Sequence, residues 1–223
     1  LVDGKNIWSQ NYDLRALRSR IALLFQFPEH QLFEETVFKD VAFGPRNLGL
    51  EGEELALRVR MGLELMGLNY EAYRNRSPFT LSGGEKRRVA LAGILAMQPE
   101  AIILDEPTAG MDPLGRRNLL QLIERLHREE NLTIILVTHN MEEIARLADR
   151  LLVFFRGEIV LQGTPGDVFA SAEQLRQIGL DVPPLTQLLQ ELRRRGKNIY
   201  TDHFTAEDVA AEILCLLRGE DRL

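Results

Sequence analysis

The chain has 223 residues, 45% of them hydrophobic and 27% charged, a globular balance that excludes a disordered chain. Acidic residues outnumber basic ones by 33 to 27, a formal net charge of −6, which argues against a general nucleic-acid binder. A single cysteine, Cys215, excludes an internal disulfide framework and suits a reducing compartment. The longest apolar runs, such as LLVFF at 151–155, are far too short to span a bilayer, and no signal peptide is visible at the start. The expectation is a cytoplasmic chain that can still dock on a membrane protein.

The first residues, LVDGKNIW, read as the end of a strand and a turn at Asp3-Gly4, so the sequence reads as starting in mid-domain. RIALLF (20–25) is a short apolar run that ends at the loop QFPEHQ, where Pro28 prevents a helix. Residues 51–67 place Leu55, Val59, Leu63 and Met66 at helical spacing. SPFTLSGGEKRRVALAGILAMQPE gives a loop and then a helix that stops before Pro99. AIIL (101–104) and LTIILV (132–137) are buried strands by length and composition. Asp112-Pro113 opens a helix, with aspartate as N-cap and proline in the first helical position. After THN another helix starts, with Asn140 and Glu143 as caps, and LLVFF-RG-EIVLQG (151–163) reads as a hairpin. Beyond Gly163, Leu185, Leu188, Leu189 and Leu192 form a helical stripe, and TAEDVAAEILCLL (205–217) is a last amphipathic helix.

Strand–helix alternation with continuous apolar strands predicts an α/β fold: a mostly parallel sheet covered on both faces. Ligands of such sheets sit at the carboxyl ends of the strands. Gln26, Asp105-Glu106 and His139 fall there, each directly after an apolar strand or two residues past one. The expected division is a core at 1–163, with a helical subdomain at about 28–98, and a helical appendage at 164–223.

Each polar feature has a plain reading when taken alone. Ser82-Gly83-Gly84 before a helix offers open N–H groups to an anion, yet Ser82 and Glu85 already fit a capping box. Asp105 at a strand end suits Mg²⁺ and Glu106 suits activation of a water, yet an acidic surface turn looks the same. His139 is an ordinary strand-end histidine by itself, and a zinc reading with Glu143 lacks a third ligand. His30, His127 and His203 have no convincing partners. The arginine run 193–195 reads as a solvated helix face. Lys86-Arg87-Arg88 reads the same way, with some positive field near the glycine turn.

In order, LLFQFPEHQLF, LSGGE, ILDEPTAGMDP and VTH resemble the ATP-binding cassette family, a P-loop NTPase-like fold, very closely. Gln26 matches the Q-loop glutamine and LSGGE the family signature. Asp105 and Glu106 match the Walker-B pair, Asp112 the D-loop, and His139 the switch histidine. Within the family, QLFEETVFKDVAFGPRNLGL, GTPGDVF and the tail from GLDVPPLTQLLQELRRRG look most like the energy-coupling-factor branch, the cobalt and vitamin uptake type. Two departures stand out. Glu85 replaces the usual glutamine and puts a negative charge near a phosphate site, so binding there is expected to weaken. No G-x-x-x-x-G-K-[ST] phosphate loop occurs in the chain, so the sequence is expected to be a fragment of a longer protein lacking its N-terminal part.

The resemblance implies a dimer that sandwiches two ATP molecules, a transmembrane coupling subunit, a substrate-binding membrane subunit and no nucleic-acid partner. ATP and Mg²⁺ are the implied ligands. Glu106 is implied as the activator of water, Asp105 and Gln26 as holders of Mg²⁺, and His139 as the group at the transferring phosphoryl. Ser82, Gly83, Gly84 and Asp112 are implied in nucleotide binding. The implied function is an ATPase at the cytoplasmic face of the membrane that powers uptake of a cobalt or other metal ion or a vitamin. Phe27, Leu32, Phe33, Val41 and Phe43 are read as a groove for a membrane subunit's helix, or as plain packing. Two alternatives stand beside this function: a non-catalytic cassette partner, and a non-transport cassette ATPase with a coiled-coil insertion, against which stands the absence of sustained heptads in 27–80.

Overall fold

The computed structural model describes residues 1–218 in two compact units, 1–137 and from 138 onward; residues 219–223, the end of the expected appendage, lie outside the described residues. In the first unit, a turn at Asp3-Gly4 closes a bridge between Val2 and Lys5. Helix α1 (Leu14–Arg20) is capped by Asp13 and leads straight into strand β1 (Ile21–Leu24). A 3₁₀ turn, Pro28–Gln31, follows. Then come α2 (Val37–Asn47), α3 (Gly52–Leu65) and the single turn α4 (Tyr70–Tyr73). Helix α5 (Gly83–Leu95) carries the LSGGE turn at its head. Strand β2 (Ala101–Asp105), α6 (Pro113–Glu129) and β3 (Thr133–Val137) complete the unit.

The three strands pair in parallel in the order β1-β2-β3, with Leu24 opposite Leu104 and Asp105 opposite Val137. Side chains alternate across the sheet, so Ala22, Leu24, Ile102 and Leu104 share one face, and all four are buried. The other face differs from the expectation of a doubly covered sheet. Leu23, Ile135 and Val137 lie there at 41%, 50% and 49% exposure. Continuous apolar strands announce a sheet built for two covers, and the described residues bury only one.

Helices α2, α3 and α5 pack on one another. Val41, Val59, Leu63, Val89 and Ala92 are at 0% exposure in this layer. Gly62 makes the α3–α5 approach possible. A Cβ there would sit 2.5 Å from the Ala92 carbonyl oxygen, closer than atoms tolerate.

The second unit begins with α7 (Met141–Leu147), capped by Asn140, whose side chain accepts from the N–H groups of Glu142 and Glu143. Strands β4 (Leu151–Phe155) and β5 (Glu158–Gly163) form the expected antiparallel hairpin. Arg156 and Gly157 both adopt left-handed φ at its turn, the geometry of a two-residue hairpin. Helices α8 (Pro165–Ala170) and α9 (Ala172–Gln177) pack with the hairpin around Val168, Phe169 and Leu175. Helices α10 (Pro184–Arg194) and α11 (Ala206–Arg218) build a second small core on Leu189, Ile199 and Val209. The 193–195 arginines are solvent-exposed as expected. Arg194 and Arg195 both clasp Glu191, which holds that carboxyl at about 2.

Candidate functional site

Gln26 lies two residues past the end of β1, and Asp105 is the last residue of β2 with Glu106 directly after it. Because the strands run parallel and in register, these residues leave the same carboxyl edge of one sheet. Gln26 is exposed; Asp105 and Glu106 are half-buried. The Glu106 N–H donates to the Val137 carbonyl at 2.9 Å, extending the β2–β3 ladder by one bond past the strand. Glu106 also has φ 44°, and Phe27, next to Gln26, has φ 59° and ψ 61°. Left-handed backbone at a non-glycine residue costs about 1–3 kcal/mol, and surrounding contacts must hold it in place.

The glycine turn is built differently. Ser82 caps α5: its Oγ accepts from the Glu85 N–H, and the Glu85 carboxylate accepts in return from the Ser82 N–H. A Cβ at Gly83 or Gly84 would meet nothing within 4 Å. Both glycines therefore border open space, and the helix head there carries N–H groups and the positive end of the helix dipole, a combination that suits an anion. The feared charge of Glu85 is turned inward. Its carboxylate accepts from Tyr73 Oη at 2.7 Å, the Ser82 N–H at 2.8 Å and Ser82 Oγ at 2.7 Å, with Arg76 at 3.6 Å. The Tyr73 hydrogen bond, then the two from Ser82, hold its pKa at about 2. The charge persists, but three donors and a guanidinium engage it.

Asp112 caps α6, accepting from the N–H groups of Leu114 and Gly115 at 3.0 Å each. An N-cap of this kind is worth about 1 kcal/mol. His139 belongs to the second unit; it is exposed and stands two residues beyond the end of β3. Glu143, the other half of the discarded zinc pair, is 1% exposed and accepts from the Thr138 hydroxyl at 3.2 Å. Two other histidines correct the sequence reading. His127 Nδ1 lies 3.0 Å from the Leu132 carbonyl, and His203 lies 3.4 Å from Glu212.

The larger correction concerns Arg87, read from sequence as part of a solvated charged face. It is only 5% exposed, and its guanidinium reaches Glu29, Pro107 and Ala109. Its signal was present in the spacing. Arg87 stands four residues before Leu91 and seven before Ile94, on the buried stripe of α5. Removing one partner of a buried ion pair of this kind costs about 3–5 kcal/mol.

Of the five groove residues, Leu32 and Val41 are core. Phe27, Phe33 and Phe43 remain 40%, 58% and 47% exposed, with Phe33 and Phe43 in edge contact at 5.0 Å.

Among the described residues, no group of three or more His, Cys, Asp or Glu is placed to hold a metal ion. A protein-only cage is therefore not what Asp105 and Gln26 offer. Mg²⁺ in phosphate chemistry takes one or two carboxylates and completes its shell with phosphate oxygens and water, and this donor set fits that mode.

A family model described as ABC transporter matches residues 1–109. The energy-coupling factor transporter ATP-binding protein EcfA2 of Clostridium perfringens is 49% identical over 221 residues, covering 99% of this chain and 78% of that protein. The protein of the same name from Caldanaerobacter subterraneus subsp. tengcongensis is 52% identical over 218 residues, covering 98% and 76%. Among solved structures, cbiO1 from Clostridium perfringens, part of the ABC transporter complex cbiONQ, superposes with a TM-score of 0.68 at 37% identity, covering 85% of this chain and 75% of that one. A dimeric ATP-binding cassette in a post-hydrolysis state with ADP and Pi gives 0.56 at 29% identity, covering 68% and 65%. The chain belongs to the ABC transporter ATPases, in the energy-coupling factor branch. It is an ATP-binding subunit of that type of transporter.

Proposed function

We propose that the chain hydrolyses ATP to drive uptake of a metal ion or vitamin through a membrane complex, working as a dimer with a second ATPase subunit. The observation that carries this is the shared carboxyl edge of β1 and β2, which gathers Gln26, Asp105 and Glu106 behind left-handed turns. In this reading Glu106 is the general base toward the attacking water. Asp105 and Gln26 hold Mg²⁺, which when bound neutralises charge on the phosphate oxygens. His139, exposed at the start of the second unit, meets the transferring phosphoryl group. Ser82, Gly83, Gly84 and Asp112 face nucleotide that the partner subunit holds by its own phosphate loop. The reaction then relies on positioning and on donors aimed at developing charge.

The segment between Gln26 and the glycine turn favours transport over the coiled-coil alternative. It folds as helices of 11, 14 and 4 residues, with four phenylalanines, Phe27, Phe33, Phe43 and Phe79, left open. Phe27, Phe33 and Phe43 are the apolar surface we assign to a membrane subunit's helix, beside a membrane that no described helix is long and apolar enough to cross.

The test uses the intact gene product in its purified complex. Glu106→Gln should lower ATP turnover by about 100-fold or more while ATP binding persists. Turnover that survives the substitution overturns Glu106 as the base. Phe33→Asp should abolish solute uptake and spare ATP turnover. Leu32 is unsuited to this test because it is buried. Loss of both activities in Phe33→Asp would remove the groove assignment.

A further inference from the structure

Arg87 stands three residues after Gly84, at the head of α5. A guanidinium has five N–H donors in a rigid planar fork. Here the fork joins two segments that lie far apart in sequence. Nε and Nη2 meet the Glu29 carboxylate at 3.3 and 3.2 Å. Nη1 donates to the Pro107 carbonyl at 2.9 Å, and Nη1 and Nη2 donate to the Ala109 carbonyl at 3.2 and 3.1 Å. Glu29 is three residues past Gln26; Pro107 and Ala109 are one and three residues past Glu106. Each segment opens at a left-handed non-glycine residue, Phe27 in one and Glu106 in the other. Such backbone persists only where contacts over-determine it. A Cβ on Gly110 would lie 3.9 Å from the Phe27 ring, so the two segments also approach each other directly.

We propose that Arg87 is a positioning residue. It locks the turn behind Gln26 and the turn behind Glu106 to the head of α5, so the amide, the acid and the glycine turn move as one body when nucleotide arrives. The proposal rests on the reading of Glu106 and Gln26 given above. Arg87 itself touches no reacting atom. Lysine cannot replace it, because a single ammonium cannot serve a carboxylate and two carbonyls in one plane.

The experiment takes Arg87→Ala, Arg87→Lys and Glu29→Ala in the intact gene product within its complex. It measures amide hydrogen exchange over residues 27–31 and 106–111, together with kcat and KM for ATP. Arg87→Ala and Arg87→Lys should speed exchange in both segments and lower kcat roughly tenfold or more, with KM for ATP within about twofold. Glu29→Ala should free the 27–31 segment, and combining it with Arg87→Ala should add little. Unchanged exchange in both segments, or a raised KM at constant kcat, overturns the tie. If Arg87→Ala fails to fold, Arg87→Lys and Glu29→Ala carry the same comparison. If the wild type shows no ATP turnover, the functional reading fails, and the exchange measurement still decides whether the tie exists.

Discussion

At Phe27 and Glu106 the chain forces ordinary side chains into left-handed backbone and holds them there with one buried guanidinium. At Gly83 and Gly84 it does the reverse, placing glycines where no neighbour approaches within 4 Å. The first arrangement fixes residues before any ligand arrives. The second leaves open space at the head of a helix. The proposed site between two subunits has use for both: one half rigid enough to aim an acid, the other open enough to be closed upon. This comparison tells which substitutions should hurt the fold and which only the function.

The largest expected effect that separates the two is Gly84→Ala. Nothing crowds the new methyl, φ is not left-handed, and alanine is the better helix former. The fold should be unchanged or more stable by about 0.5 kcal/mol in thermal unfolding. ATP turnover in the intact complex should nevertheless fall by roughly tenfold or more, because the methyl enters the space that the proposed function assigns to phosphate. A variant with normal turnover would show that the open space is not a binding site. Gly62→Ala is the control with the opposite signature. Its Cβ would press on the Ala92 carbonyl at 2.5 Å, backbone that cannot step aside. Stability should fall by about 1–3 kcal/mol, read as a lower midpoint in urea, with turnover per folded molecule kept.

Much of this was legible in sequence. Caps announced α5, α6 and α7 through Ser82, Asp112 and Asn140, because a helix start needs an acceptor for its first N–H groups. Apolar runs of strand length announced β1, β2 and β3, and the register then placed Gln26 and Asp105-Glu106 on one edge. Helix α1 was missed because it has only seven residues, too few for Leu14 and Leu17 to stand out as a stripe, and it buries none of them. Helix α2 was not marked out because Gly44 and Pro45 sit inside it, and both read as breakers. Arg87 and Glu29 were passed over for a different reason. Charge reads as surface by default, and a buried ion pair joins residues 58 positions apart that no local pattern links. The bare face at Leu23, Ile135 and Val137 was hidden because composition says what a strand wants covered, not what covers it.

The smallest effect sharpens the open half of the comparison. The Ser82 hydroxyl donates to the Glu85 carboxylate, with Oγ 2.7 Å from Oε2, so it offers only lone pairs to the phosphate proposed to meet it. In Glu85→Gln the amide oxygen has to stay on the Ser82 side, because the Ser82 N–H and hydroxyl share one carboxylate oxygen there, and the new NH₂ donates to Tyr73 Oη. Two changes of opposite sign are expected at neutral pH. Stability should fall by about 1 kcal/mol as charge-assisted hydrogen bonds become neutral ones. ATP-dependent closure of the proposed dimer should strengthen, by about threefold at most, because a negative charge is removed from the helix head. The stability difference also has a pH signature. Glu85 is depressed from 4.5 to about 2 in the fold, so the folded state favours its charged form. That contribution is complete above about pH 4.5 and fades as pH falls toward 2, since the unfolded chain takes up the proton first. Wild type and Glu85→Gln should therefore converge in urea midpoint between pH 4.5 and 2, and a gap that stays constant over that range would show that Tyr73 and Ser82 do not hold the carboxylate as described.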